Sequence, residues 1–249
     1  AYFTQDGKYN YDTATGMAVD AMGNLFALSV SAETDGSGTY YPGQDPTQIY
    51  ISKITKGGNL EWRIALNTGE DSESYAGFIA LDKDGNIYVA GYCEDPASPL
   101  YASYGENIFL AKLDSNGSMI WSTTVAIPDP YFATISVDSN GNVYVAGSGV
   151  VQESNFDTLT PVIQNFMLAK INPQGEVEWV KSFGEFQSED FYNDPYNHYT
   201  VTTDNNGSVF VIGEVNGTWG DPINDFTGER DIFVARFDQT GTILWNTFL

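Results

Sequence analysis

The chain alternates short apolar runs with two kinds of polar break, and it does so four times in the same order. In the second copy an apolar run, Gly77–Leu81, is followed by a tight turn, Asp82–Asn86, and a second run, Ile87–Gly91. A long polar stretch then leads to a third run, Ile108–Leu113, a second tight turn, Asp114–Gly117, and a fourth run, Met119–Val125. The runs are β-branched or aromatic and bounded by Gly and Asn, which predicts strands joined in hairpins. In both turns an Asp can accept a bond from a backbone N–H two residues on, while Gly supplies the positive φ. No stretch carries helical periodicity, so the pattern predicts an all-β chain of about sixteen strands.

The four copies align on a Trp near the end of each: Gly58–Trp62, Gly117–Trp121, Gly175–Trp179 and Gly241–Trp245. Upstream of each lies an apolar hexamer with a cation at its fifth position: Ile49–Ile54, Ile108–Leu113, Phe166–Ile171 and Ile232–Phe237. Further upstream are the first turns, Asp20–Asn24, Asp82–Asn86, Asp138–Asn142 and Asp204–Ser208. A unit of roughly 60 residues seen four times is one supersecondary module stacked on itself. The second run of each copy is apolar on both faces: Leu25, Ile87, Val143 and Val209 point one way, Phe26, Tyr88, Tyr144 and Phe210 the other. Such a strand belongs inside a stack of sheets. The expected architecture is therefore a single β-propeller domain, 1–249, of four four-stranded blades at 15–66, 77–125, 132–183 and 199–249, with 1–14 as leader or connector. Residues 245–249 followed by 1–5 read like any other blade-to-blade connector, which favours a closed four-bladed ring over a piece of a longer array.

Asp82–Gly91 and Asp138–Gly147, then Asn107–Lys112 and Asp231–Arg236, then the Trp-anchored turn resemble the SBBP (seven-bladed β-propeller) repeats of bacterial proteins. The resemblance covers all four copies, the first being most divergent because 55–58 replaces the Asp turn. It implies a secreted or cell-surface bacterial protein and carries no catalytic motif with it. A chain opening at Ala1 suits a processed product or a segment of something longer.

Composition narrows the partners. The formal net charge is −23, with 33 acidic and 10 basic residues. Such a field repels phosphate backbones and anionic headgroups, so neither nucleic acid nor a membrane surface is expected. No apolar run reaches the ~18 residues of a membrane helix. Cys93 is the single cysteine, which rules out an internal disulfide or a cysteine metal cluster. Its neighbours Glu94 and Asp95 disfavour a thiolate nucleophile. His198 is the single histidine, and one histidine makes neither a metal site nor a triad.

The charge is unevenly placed. The long stretches 1–14, 32–47, 66–76, 92–106, 126–131, 149–164, 184–198 and 214–230 hold 22 of the 33 acidic residues and two of the ten basic ones. They also hold 12 of the 16 tyrosines and Trp219. Irregular loops on a rigid scaffold commonly carry binding. Tyr41, Tyr104, Tyr192, Tyr196 and Trp219 are the candidates for stacking on a glycan or forming a protein contact; the alternative is that such residues pin their own loops. Asp35, Asp71, Asp190, Asp221 and Asp225 are candidate Ca²⁺ ligands, although none of their spacings matches an EF-hand loop. Solvation alone also accounts for an acidic surface.

The cation at Lys53, Lys112, Lys170 and Arg236 recurs in every copy, which makes it structural. Its stem is expected to pack between blades and its head to meet a carboxylate or carbonyl near the tight-turn face, first of all the Asp of that blade's first turn (Asp20, Asp82, Asp138 or Asp204). The combined expectation is a non-enzymatic extracellular binding or adhesion module with no required cofactor, Ca²⁺ being a candidate, and a glycan or protein ligand. The alternatives are a subunit of a self-assembling filament or surface layer and a glycan-cleaving enzyme that uses a carboxylate pair.

Overall fold

In the computed structural model the described residues are 2–3, 9–34, 47–66, 74–93, 107–127, 134–152, 162–188, 199–204 and 206–249. They contain strands and turns and no helix. The first sheet comprises β1 (Tyr2–Phe3), β2 (Tyr9–Val19), β3 (Leu25–Thr34), β4 (Thr47–Ile54) and β5 (Leu60–Ala65). The second comprises β6 (Ser74–Leu81), β7 (Ile87–Cys93), β8 (Ile108–Leu113) and β9 (Met119–Val125). The third comprises β10 (Thr134–Val137), β11 (Val143–Gln152), β12 (Val162–Ile171) and β13 (Val177–Ser188). The fourth comprises β14 (Tyr199–Thr203), β15 (Val209–Val215), β16 (Asp231–Phe237) and β17 (Ile243–Phe248). Every sheet is an up-and-down antiparallel meander in chain order. The all-β class and the division into four propeller-type blades are as the sequence predicts. In the first blade β1 adds a short fifth strand against β2.

The strands end where local chemistry ends them. Each first turn opens on an Asp whose backbone carbonyl accepts the N–H of a glycine three residues on, as in Gly85 to Asp82 at 3.1 Å. Each second turn repeats this from Thr55, Asp114, Asn172 or Asp238. After the second turn the ladder always slips by one residue: Lys53 faces Trp62 but Ile54 faces Leu60, and blades 2, 3 and 4 repeat the slip. Glu61, Ile120, Glu178 and Leu244 are the residues left over. Such a bulge re-aims the strand that carries it, and here it turns the following Trp back over its own blade.

That Trp meets an aromatic on the second strand in all four blades. The pairs are Phe26–Trp62, Tyr88–Trp121, Tyr144–Trp179 and Phe210–Trp245, with centroids 5.9 to 6.4 Å apart and planes inclined by 57° to 69°. Offset, inclined rings place the edge of one on the face of the other, the arrangement their quadrupoles favour.

Residues 1–125 and 126–249 form two compact units. In the first, Phe26, Leu28, Ile49 and Ile51 of blade 1 are buried in one cluster with Ile87, Val89, Phe109 and Ala111 of blade 2. In the second, Tyr144, Phe166 and Leu168 of blade 3 are buried with Val209, Val211, Phe233, Ala235 and Phe237 of blade 4. Each core is thus formed by two sheets packed face to face; β7 in blade 2 is buried at every position, as a strand apolar on both faces requires. The same joint appears in both units. A Cβ on Gly117 would lie 3.6 Å from Trp62, and one on Gly241 would lie 2.8 Å from Trp179. Glycine meets two requirements at these turns, a φ of +86° or +71° and room for the preceding blade's outer strand, where a Cβ would collide with Ile64 at Gly117 and with Trp179 at Gly241.

Strands reach further into the long stretches than their sequence suggests. β2 starts at Tyr9 and pairs with β3 out to Thr34, inside the region read as a leader. β12 and β13 continue from Phe166–Phe183 out to Val162–Ser188, across an irregularity at Gln164.

Candidate functional site

In a four-stranded meander the two tight turns share one end, and the remaining loop and the connections to neighbouring blades share the other. At the tight-turn end the carboxylates are engaged locally. Asp82 Oδ1 accepts the backbone N–H of Asp84 at 3.0 Å and of Asn86 at 2.9 Å. Its Oδ2 accepts from Asn86 Nδ2 at 2.8 Å and from the Tyr88 hydroxyl at 3.2 Å. Burial alone would push the Asp82 carboxyl up, but these bonds and Lys112 hold it below the usual carboxylate range. Asp20 has the same balance, with Asn24 as its principal donor. Asp204 is lowered first by the Ser208 N–H, and Asp238 first by the Thr240 side chain. Asp138 repeats the cradle with Asn140 and Asn142. These groups shape turns and leave little capacity for a ligand.

The repeated cation finds two kinds of partner. Lys112 lies 3.6 Å from Asp82 Oδ2, the expected first-turn carboxylate. Lys53 instead meets Glu61 at 3.0 Å and Lys170 meets Glu178 at 2.8 Å. Arg236 donates to Ser208 Oγ in the first turn at 2.8 Å. In blades 1 to 3 the head thus meets a carboxylate at the tight-turn end, as expected, but the first-turn Asp is that carboxylate only in blade 2; in blade 4 the acceptor is a hydroxyl. The bulge residue decides the choice: where it is Glu, the Lys takes it, and where it is Ile120 or Leu244, the cation turns to the first turn. The charged heads also share a ring, with Lys53 Nζ, Lys112 Nζ and Arg236 Cζ lying 5.9, 5.0 and 5.7 Å from the ring centres of Phe26, Tyr88 and Phe210. Tyr144 differs from Tyr88: its buried hydroxyl has no hydrogen-bond partner among the described residues. Burial, with the charges of Asp138, Glu178 and Asp238, raises its phenol well above the usual range.

At the long-loop end one segment is described throughout, the strap 216–230 between β15 and β16. Trp219 is 6% exposed and belongs to the blade 3–blade 4 core. It meets Phe233 edge-on at 5.0 Å and also contacts Phe166 and Phe183. The buried Asn246 side chain donates to the Trp219 carbonyl at 2.7 Å. Ile223 N–H then bonds to Asn246 O at 2.9 Å, Phe248 N–H bonds to Asn224 O at 3.2 Å, and Phe226 packs edge-on against Phe248. Trp219, expected on the ligand face, is therefore interior: it pins the strap along the outer edge of β17, because Asn246 on β17 supplies a buried anchor that spacing alone does not reveal. Asp221 and Asp225 are exposed on this strap. Tyr41, Tyr104, Tyr192, Tyr196, Asp35, Asp71, Asp190 and His198 lie outside the described residues. Among the described residues no group of three or more His, Cys, Asp or Glu is placed to hold a metal ion. Cys93 is fully buried in the unit 1 core.

No family model matches the chain. An uncharacterized WD repeat-containing protein of Acanthamoeba polyphaga mimivirus is 23% identical over 212 residues, spanning 68% of this chain. The match spans 15% of the length of that curated relative. Among solved structures, a Hadza microbial sialidase aligns with 96% of the chain and 58% of its own, at 13% identity and a TM-score of 0.38. A mutant of the Synechocystis apocarotenoid oxygenase aligns with 99% of the chain and 71% of its own, at 10% identity and a TM-score of 0.42. The likeness extends to a repeat protein of β-propeller type and does not single out the SBBP repeats. Both solved structures are enzymes by name, so the expectation that the chain is not an enzyme is withdrawn.

Proposed function

We propose that the chain is a recognition module of the bacterial cell surface or extracellular space, with its ligand held at the long-loop end of the blades. One observation carries this reading: the long stretches, with the strand ends that run into them, hold 22 of 33 acidic residues and 12 of 16 tyrosines, whereas the tight-turn carboxylates are occupied by their own turns. Carboxylates accept hydrogen bonds from hydroxyls and attract cationic groups, and tyrosine offers rigid amphipathic contact area. The ligand class that fits is a glycan, with Ca²⁺ a candidate bridge between carboxylates and sugar hydroxyls.

A glycan array read with and without Ca²⁺, followed by calorimetry on any hit, tests the proposal. Tyr104→Ala and Tyr192→Ala should each weaken the hit about tenfold or more if the tyrosines stack on it. Product analysis of the bound glycan then shows whether binding leads on to cleavage. Binding unchanged by both tyrosine substitutions, or no glycan retained at all, would refute the reading.

A further inference from the structure

The described residues contain four Asn-Gly pairs: Asn116–Gly117, Asn140–Gly141, Asn206–Gly207 and Asn216–Gly217. Asparagine before glycine is prone to modify itself, because the glycine nitrogen approaches the side-chain amide with no Cβ in the way. That nitrogen, once deprotonated, bonds to Cγ and Nδ2 leaves as ammonia, closing a five-membered succinimide. Water then opens the ring at one of its two carbonyls. One opening gives Asp; the other gives isoaspartate, whose backbone runs through Cβ. Nothing is oxidised or reduced, and water is the only co-reactant. The rate turns on how freely the glycine nitrogen can swing towards the side chain.

Three of the pairs are tied into tight turns. The N–H of Gly117 donates to Asp114 O at 2.9 Å, that of Gly141 to Asp138 O at 3.0 Å and that of Gly207 to Asp204 O at 3.2 Å. The N–H of each Asn is held as well, by Oδ1 of the same Asp, at 2.8, 2.9 and 2.8 Å. Each glycine has a positive φ, +86°, +83° and +79°, so each is a type I turn closed by a G1 bulge. In that geometry ψ at the Asn is about 0°, which points the glycine nitrogen away from the Asn side chain. Succinimide closure there has to break the turn first.

Asn216–Gly217 is placed differently. The β15–β16 ladder ends at Val215 opposite Asp231, and the strap is next fixed at Trp219, whose carbonyl accepts from Asn246. Asn216 and Gly217 form a bend between these two anchors, and both are partly exposed. The Gly217 N–H has no hydrogen-bond partner among the described residues. We propose that Asn216 is a self-modification site, converting to Asp and isoaspartate in the folded protein while the three turn asparagines persist. The products alter the root of the strap. Isoaspartate lengthens the backbone by one methylene between Val215 and Trp219. Either product adds a negative charge two positions from Glu214, which lies 4.0 Å from Arg230 at the strap's other end. A longer root slackens the strap, so the bonds between it and β17, from Ile223 N–H to Asn246 O and from Phe248 N–H to Asn224 O, open more often.

Peptide mapping by mass spectrometry tests it, on the full chain aged in mildly alkaline buffer. The mass gained when OH replaces NH2 should appear at Asn216 at least about tenfold faster than at Asn116, Asn140 or Asn206, since the turn amides react only after local opening. In urea the four sites should react at similar rates, which would show that the fold and not the local sequence makes the difference. A turn asparagine that keeps pace with Asn216 in the folded chain overturns the proposal. So does an Asn216 that stays intact in the folded chain while it reacts in urea. Chain carrying isoaspartate at 216 should exchange the Ile223 and Phe248 amides faster than fresh chain, and unchanged exchange would break the link from the modification to the strap.

Discussion

At the residue scale the turn carboxylates and the repeated cation make separable contributions. Glu178 pairs with Lys170 at a half-open position, so Glu178→Gln should cost at most about 1 kcal/mol. Asp82 receives four hydrogen bonds and a cation, and Asp82→Asn should cost about 1–3 kcal/mol, read by urea denaturation. The folded Asp82 carboxyl sits below its unfolded value of roughly 3.9, so its stabilisation is complete above about pH 4 and is lost as pH falls through the folded value. Wild type should therefore lose stability on acidification below about pH 4, and Asp82→Asn should lose less across the same interval. The glycines separate sterics from conformation. Gly58→Ala meets only the left-handed strain of about 1–2 kcal/mol, whereas Gly241→Ala also drives a methyl against Trp179 and should cost clearly more. Equal losses in the two variants would remove the Trp joint from the account of blade packing.

At the element scale the strap 216–230 acts as a brace for the last strand. It supplies backbone partners to the outer edge of β17, which would otherwise present unpaired N–H and C=O groups to any passing strand. Trp219→Ala removes a buried ring and should destabilise the 126–249 unit by about 3–5 kcal/mol. The first amides to lose hydrogen-exchange protection should be those of Ile223 and Phe248. The hairpins themselves were legible in the sequence because Asp, Asn and Gly act locally: a turn that satisfies its own backbone advertises itself within five residues. Strand extent was less legible, since Tyr9–Ala14 and Phe183–Ser188 mix polar and aromatic residues as loops do and are paired only by their partner strands. Trp219 was misplaced for a related reason: an aromatic among polar residues looks the same whether it faces out or in, and Asn246 lies 27 positions away. The choice of cation partner was readable in principle from the residue before each Trp.

At the scale of the whole molecule the acidic excess governs solution behaviour. A net charge of −23 disfavours the compact state through self-repulsion. Between about 0.01 M and 1 M salt the screening length shrinks from ~30 Å to ~3 Å, so thermal stability should rise with salt. Each kcal/mol of relieved repulsion should appear as about 2–4 °C in Tm. Thermal melts that are flat or falling over that range would mean that the acidic stretches are already compensated.

The Trp-on-glycine joint has an evolutionary side. It recurs between blades 1 and 2 and between blades 3 and 4, built from the same two positions of the repeat, and it holds no information about how many repeats follow. Duplication of one such module therefore adds both halves of a working interface in a single event, with no new contact to invent. The loop stretches, which take no part in the joint, are then free to diverge copy by copy while the scaffold lengthens or shortens beneath them.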